Sequence, residues 1–226
     1  MQHHVGLQGF RRERFEMIER VDDCRGADLV RAIVQVIRDN RQYLSDIDGL
    51  IGDGDHGVNM SKGFTLAEER LTEEGFSSAL ETLGMTLLED IGGSMGPLYS
   101  CIFFAMADSV GSDGIDKKVL GEMLDAAVRA VEEISPAKRG DKTLMDALIP
   151  ARDAYHEAFE RGDDFSTCIR VMGEAANEGR DATVNMVAKL GRASRLGERS
   201  RGVPDAGACS CALIINSIGS FLMASI

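Results

Sequence analysis

Ten residues, Asp48 to Gly57, hold three aspartates, one histidine and four glycines. Clustered carboxylates repel unless a cation or a ring of donors neutralises them, and glycine weakens any helix or strand that contains it. A hard divalent cation held through oxygens offsets both penalties. Asp53 and Asp55 are two apart and Asp48 precedes Asp53 by five, so a turn brings all three to one point. Mg2+ typically takes one or two carboxylates and fills its shell with phosphate oxygens and water, so three carboxylates suit two ions. The plain alternative is a solvated acidic turn with capping aspartates, and this stretch alone does not choose between them. Beside two such aspartates, His56 gains a role as donor to a phosphate or to polarised water; by itself it reads as a structural histidine.

A second glycine cluster, Gly92-Gly93-Ser94-Met95-Gly96-Pro97, opens a helix with proline near its first turn. Exposed amides there, with the helix dipole behind them, suit an anion; a tight turn between packed helices explains the same residues. Gly52 to Gly57 formally matches GxGxxG, but a dinucleotide fingerprint needs alternating βα units, which the chain lacks. An EF-hand loop from Asp53 fails at Val58 and Phe64, where glycine and glutamate are required. Lys142 and Thr143 lack the glycine pattern of a Walker A loop.

The rest of the chain must position these loops, and its patterning is helical. Residues 9 to 46 read as helix, with Leu29, Ile33, Val36, Ile37 and Leu44 at helical spacing. Further helices are expected over 61–71, from a cap at Ser77 or Ser78, over 98–110, over 116–134, from Asp141 or Thr143 to Phe159, from Asp163 or Asp164 to Leu190, and over 208–223. No segment alternates between hairpin turns as a strand does. About eight helices without linker or repeat predict a single all-α domain over 1–226, its glycine-rich loops meeting at one end.

Bulk properties narrow the function. The 226 residues are 44% hydrophobic, enough for a core. No run reads as the roughly 18 apolar residues of a membrane span, and the start lacks a secretory signal. Five cysteines without a CxxC pair suggest free thiols and a cytoplasmic setting. A net charge of -12 argues against nucleic acid as partner. It still permits a phosphorylated ligand, because Lys189, Arg192, Arg195, Arg199 and Arg201 form a local basic run.

Taken together, Asp48 to Met60, Gly84 to Leu88 with Gly92 to Leu98, Gly140 to Thr143, and Gly191 to Ser200 with Asp205 to Gly207 resemble the nucleotide-binding L subunit of dihydroxyacetone kinase, in family order. The resemblance implies a barrel of eight antiparallel helices with ADP or ATP held at one end by two Mg2+ ions. It makes Asp48, Asp53 and Asp55 metal ligands. It lays His56, Gly57, Val58 and Asn59 along the phosphates, with Gly93, Ser94, Met95 and Gly96 as the loop beneath. Leu144 stands where the family often has methionine against the base, and Arg192 with Asp205, Ala206 and Gly207 completes the pocket. The family pattern Gly-Gly-Ala-Ser-Gly-Pro is altered at Ser94 and Met95, and Ala206 replaces a common proline.

The implied reaction is phosphoryl transfer, with metal neutralising charge on the β- and γ-phosphates and loop amides as fixed donors. His56 is the one candidate catalytic group. The family pairs such a subunit with another that binds the ketose covalently, so this chain alone is expected to be inactive. ADP is either exchanged for ATP or kept as a cofactor and rephosphorylated by a phosphocarrier of the phosphotransferase system. Rival readings are the nucleotide domain of fatty-acid kinases, a module contacting a transcription regulator, and a helical protein with an acidic metal-storage loop.

Overall fold

Helices with one apolar stripe and short connections bury that stripe against one another. The computed structural model describes residues 19–72 and 75–226. Among them it contains nine α-helices: α1 Gly26–Asp39, α2 Arg41–Ile51, α3 His56–Arg70, α4 Phe76–Asp90, α5 Met95–Ser109, α6 Lys117–Ile134, α7 Met145–Glu160, α8 Phe165–Ala182 and α9 Ala206–Met223. The all-α expectation holds. Each helix packs on the next from α2 to α9, and α9 returns to α1 and α2, so the sequence of contacts closes on itself. One continuous hydrophobic cluster runs from Val21 to Leu222.

Several boundaries differ from the sequence reading. The single helix expected over 9–46 is not one element; residues 9–18 lie outside the described residues, and the remainder divides at Asn40. That residue leaves helical geometry (φ -100°, ψ 8°) and donates its side-chain amide to Val36 O at 2.8 Å. Asparagine competes for backbone groups in this way and so ends helices. Ahead of α1, β1 (Arg20–Val21) pairs antiparallel with β2 (Ile115–Asp116). Two residues are too few for alternation to reveal a strand.

The start of α4 is capped from a distance, Phe76 N donating to Asp23 Oδ1 at 2.8 Å, while Ser77 and Ser78 lie inside the helix. Of the expected helix starts, the one at Asp116 and the one at Asp163 or Asp164 are found, with Asp116 capping by accepting from Lys118 N and Val119 N and Asp164 by accepting from Thr167 N. Helix α8 stops at Ala182, short of Leu190, and a strap follows from Thr183 to Pro204. The strap contains two 3-10 segments, the second kinked at Gly197 (φ 54°).

The reading that no stretch matches a membrane span also needs correcting. The 18 residues of α9 have a mean hydropathy of 1.6, enough to cross a membrane by length and composition. Most of that surface is buried against α1, α7 and α8. All five cysteines are free thiols, as expected.

Candidate nucleotide and metal site

The aspartates converge because α2 ends just where α3 begins. Asp48 lies in the last turn of α2, Asp53 in the connection, and Asp55 at the N-cap of α3. One carboxylate oxygen from each lies within 4.8 Å of the others. Glycine makes the approach possible: a Cβ at Gly52 would come 2.4 Å from Asp48 Oδ1, and Gly54 turns the chain with φ +76°. The Arg192 guanidinium ion-pairs with Asp53 Oδ2, so a cation already meets one member of the set. Oxygen-only donors at this spacing, drawing in a positive group from the strap, fit a hard divalent ion.

Helix α3 points its N-terminus at the triad. The His56 amide makes a long contact with Asp48 Oδ2 (3.4 Å). First-turn amides have no partner within a helix, which leaves those of Gly57 and Val58 as anion donors backed by the helix dipole. Asn59 differs, because its amide is spent on Asp55 O at 2.9 Å; only its side chain remains for a ligand. Gly57 has a packing duty too, since a Cβ there would stand 2.0 Å from Arg41 O.

His56 is turned inward. Its ring is buried, Nε2 lies 2.9 Å from Ser210 Oγ, and burial lowers its pKa to about 4 despite the nearby Asp48 charge. Ser210 Oγ is also 2.6 Å from Tyr99 OH, whose hydroxyl reaches Gly207 O at 3.3 Å. One serine thereby ties the starts of α3, α5 and α9 together. Neither Ser210 nor Tyr99 was singled out in the sequence, though a hydroxyl inside an apolar helix was the available signal.

The second glycine loop leads into α5. Gly93 has φ +74°, and a Cβ at Gly92 or Gly93 would meet open space. Ser94 occupies the N-cap position without capping by its side chain, so the first-turn amides of Met95 and Gly96 stay unused by the helix. Gly96 is packed instead: a Cβ would lie 2.3 Å from Ile91 O.

On the other side, Leu144 is buried and abuts Gly207, whose Cβ would stand 3.6 Å from Leu144 Cβ. Ala206 is buried beside it. Asp205 caps α9 through Ala208 N at 2.8 Å, and burial raises its carboxyl to about 7 although that amide and Lys142 pull the other way. A groove of about 640 Å³ between α3, α4 and α5, bounded by Arg70, Met85, Phe104 and Asp108, contains none of these residues.

The model of the DAK2 domain family matches residues 50–220. The chain is 36% identical over 185 residues to the ADP-binding subunit DhaL of a PEP-dependent dihydroxyacetone kinase of Listeria innocua, covering 80% of this chain and 88% of that protein. It is 34% identical to an L-erythrulose 1-kinase of Mycolicibacterium smegmatis, covering 83% of this chain but 34% of that longer protein. The fold resembles that of the C. freundii dihydroxyacetone kinase solved with AMP-PNP and Mg2+, with a TM-score of 0.64 at 18% identity, over 98% of this chain and 38% of that one. The chain therefore belongs to the DAK2 domain family, the family of the DhaL subunits.

Proposed function

We propose that this chain is the ADP/ATP·Mg2+-binding subunit of a kinase for dihydroxyacetone or another short ketose, the ketose being held on a separate subunit. The observation that carries the proposal is the convergence of the Asp48, Asp53 and Asp55 carboxylates in front of the α3 N-terminus. Mg2+ at that triad would supply neutralisation of the charge that spreads over phosphate oxygens in a loose transition state. The chain's own residues bind and orient. Amides of Gly57, Val58, Met95 and Gly96 are fixed donors for phosphate oxygens, and Leu144, Ala206 and Gly207 form an apolar wall for a base. Arg192, which ion-pairs with Asp53, is the side-chain cation that would meet the phosphates beside the metal.

His56 serves this transfer as a neutral ring. Its Nε2 is engaged by Ser210, so Nδ1 is the atom that remains for a phosphate or water. Among the described residues of this site no side chain beyond His56 is placed as base for a sugar hydroxyl, which fits acceptor chemistry carried on another subunit. The Listeria relative is named PEP-dependent, which favours ADP as a retained cofactor rephosphorylated by a phosphocarrier. ADP that survives extensive dialysis would support that mode, and ready exchange for ATP would exclude it.

Calorimetry of ADP binding with and without Mg2+ tests the site. Asp53→Ala is expected to lower Mg2+·ADP affinity by about a hundredfold or more, the loss of one charged ligand in a shared cage. Affinity equal to wild type in that variant would refute the assignment.

A further inference from the structure

Lys142 is the most deeply buried cation among the described residues. It keeps 1% of its surface exposed and adopts φ +62°, a conformation that L-residues rarely take. Its Nζ donates to Thr183 O (2.8 Å), Met186 O (3.3 Å) and Val203 O (2.6 Å). Three donors meet three backbone acceptors, and no carboxylate bonds to it directly. A buried ammonium is retained against its desolvation only where every proton is satisfied.

All three acceptors belong to one stretch. Thr183 and Met186 begin the strap, Val203 ends it, and Arg192 lies between them. The loop holding Lys142 is itself fixed from α7, because Asp146 accepts from Gly140 N and Thr143 N (2.5 and 2.8 Å). Asp141 adds a lateral tie, accepting from Lys189 Nζ at 2.9 Å. At the far end, Asp205 N donates to Thr183 Oγ at 2.9 Å, so the α9 N-terminus inherits the position of the strap.

We infer that Lys142 is a positioning residue whose ammonium pins both ends of the 183–204 strap to the α7 entry loop, fixing where Arg192 and the Asp205–Gly207 turn stand relative to the carboxylate triad. What the strap does for a nucleotide rests on the function proposed above; that Lys142 holds it does not. Losing its charge-assisted bonds frees the two strap ends together and loosens a segment whose trypsin sites, Lys189, Arg192, Arg195, Arg199 and Arg201, already lie at the surface but must unfold locally to be cut.

The test compares Lys142→Met with Lys117→Met in the full chain without nucleotide. Lys117 also donates to a carbonyl, Asp163 O at 2.9 Å, but far from the strap. Both variants should lower the unfolding midpoint. Lys142→Met alone should speed tryptic cleavage within 189–201, by about ten- to hundredfold as expected for lost charge-assisted bonds. Equal cleavage rates in the two variants at matched stability would overturn the inference. If Lys142→Met does not accumulate folded, hydrogen exchange on wild type decides. The Gly202 and Asp205 amides should be protected as strongly as Thr143 N; about a hundredfold faster exchange in the strap would overturn it. Mg2+·ADP titration of the same variant is read separately: normal affinity with a loosened strap would leave the anchor intact and count against the nucleotide role of the strap.

Discussion

The loop at 140–146 and the loop at 48–57 both gather charge, and they treat it in opposite ways. Around Lys142 each proton of a buried ammonium has a carbonyl, and Asp146 has both oxygens on amides. Around Asp53 three like charges crowd together at partly exposed positions, the Asp53 side chain retaining 45% of its surface, with one arginine against them. Buried charge that is fully bonded is architecture, since breaking it leaves an uncompensated ion. Crowded like charge with few donors costs stability and is explained by something the protein binds.

Asp205 stands between these two regimes and offers the strongest way to probe them. It senses Lys142 on one side and Asp146 and Asp48 on the other, with burial dominating. Its folded pKa of about 7 exceeds the ordinary aspartate value of 3.8, so the native state binds the extra proton between those values. Stability is therefore highest below the lower value and falls as pH rises through about 7. At about 1.4 kcal/mol per tenfold in proton affinity, the ceiling is about 4 kcal/mol. Asp205→Asn keeps an N-cap residue and removes the titration. Urea unfolding from pH 4 to 8 should show wild type losing stability relative to this variant; parallel curves would mean that Asp205 is solvated like the triad.

The next comparison isolates the polar tie at the helix starts. Ser210→Ala leaves His56 Nε2 and Tyr99 OH buried without their shared partner, at a cost of about 2 kcal/mol by chemical denaturation. Because Ser210 touches no member of the triad, Mg2+ affinity should fall less than tenfold. A larger loss of metal affinity than of stability would make the tie part of the ion site and erase the distinction between the two loops.

Legibility in the sequence divided along the same line. The triad was visible because carboxylates and glycines side by side are improbable in an ordinary helix, and the structure brings Asp48, Asp53 and Asp55 together. The helices were visible through apolar patterning in α1, α6 and α9, with starts at Asp116 and at Asp163 or Asp164 legible locally. Breaks set by a single side chain were not visible: Asn40 ends α1 through its own amide, and Asp23 caps α4 from 53 residues away. Ser210 and Tyr99 were hidden because their partners come from helices distant in the chain. Lys142 was noticed only as a failed phosphate-loop lysine, since nothing local announces that its acceptors lie 41 to 61 residues further on. Local spacing encodes chemistry that a short loop can assemble; long-range polar ties appear only once the helices are packed.

The smallest effect has the most informative sign. Asp55→Asn removes one of three neighbouring charges while keeping a residue suited to the N-cap of α3. Asp55 makes no side-chain cap bond there, so the substitution gives up little folded structure. In EDTA the variant should be the more stable protein, by about 0.5 kcal/mol, the scale of like-charge repulsion between exposed neighbours. With Mg2+ and ADP the order should reverse, because wild type gains stability from ligand it binds tightly and the variant binds it weakly. Lys142→Met, by contrast, should be the weaker protein in both solutions. Two melting curves per protein therefore separate carboxylates kept for a cation from an ammonium kept for the fold. Should Asp55→Asn melt below wild type in EDTA, the triad would be holding the α2–α3 junction by itself, and the contrast between the two loops would be lost.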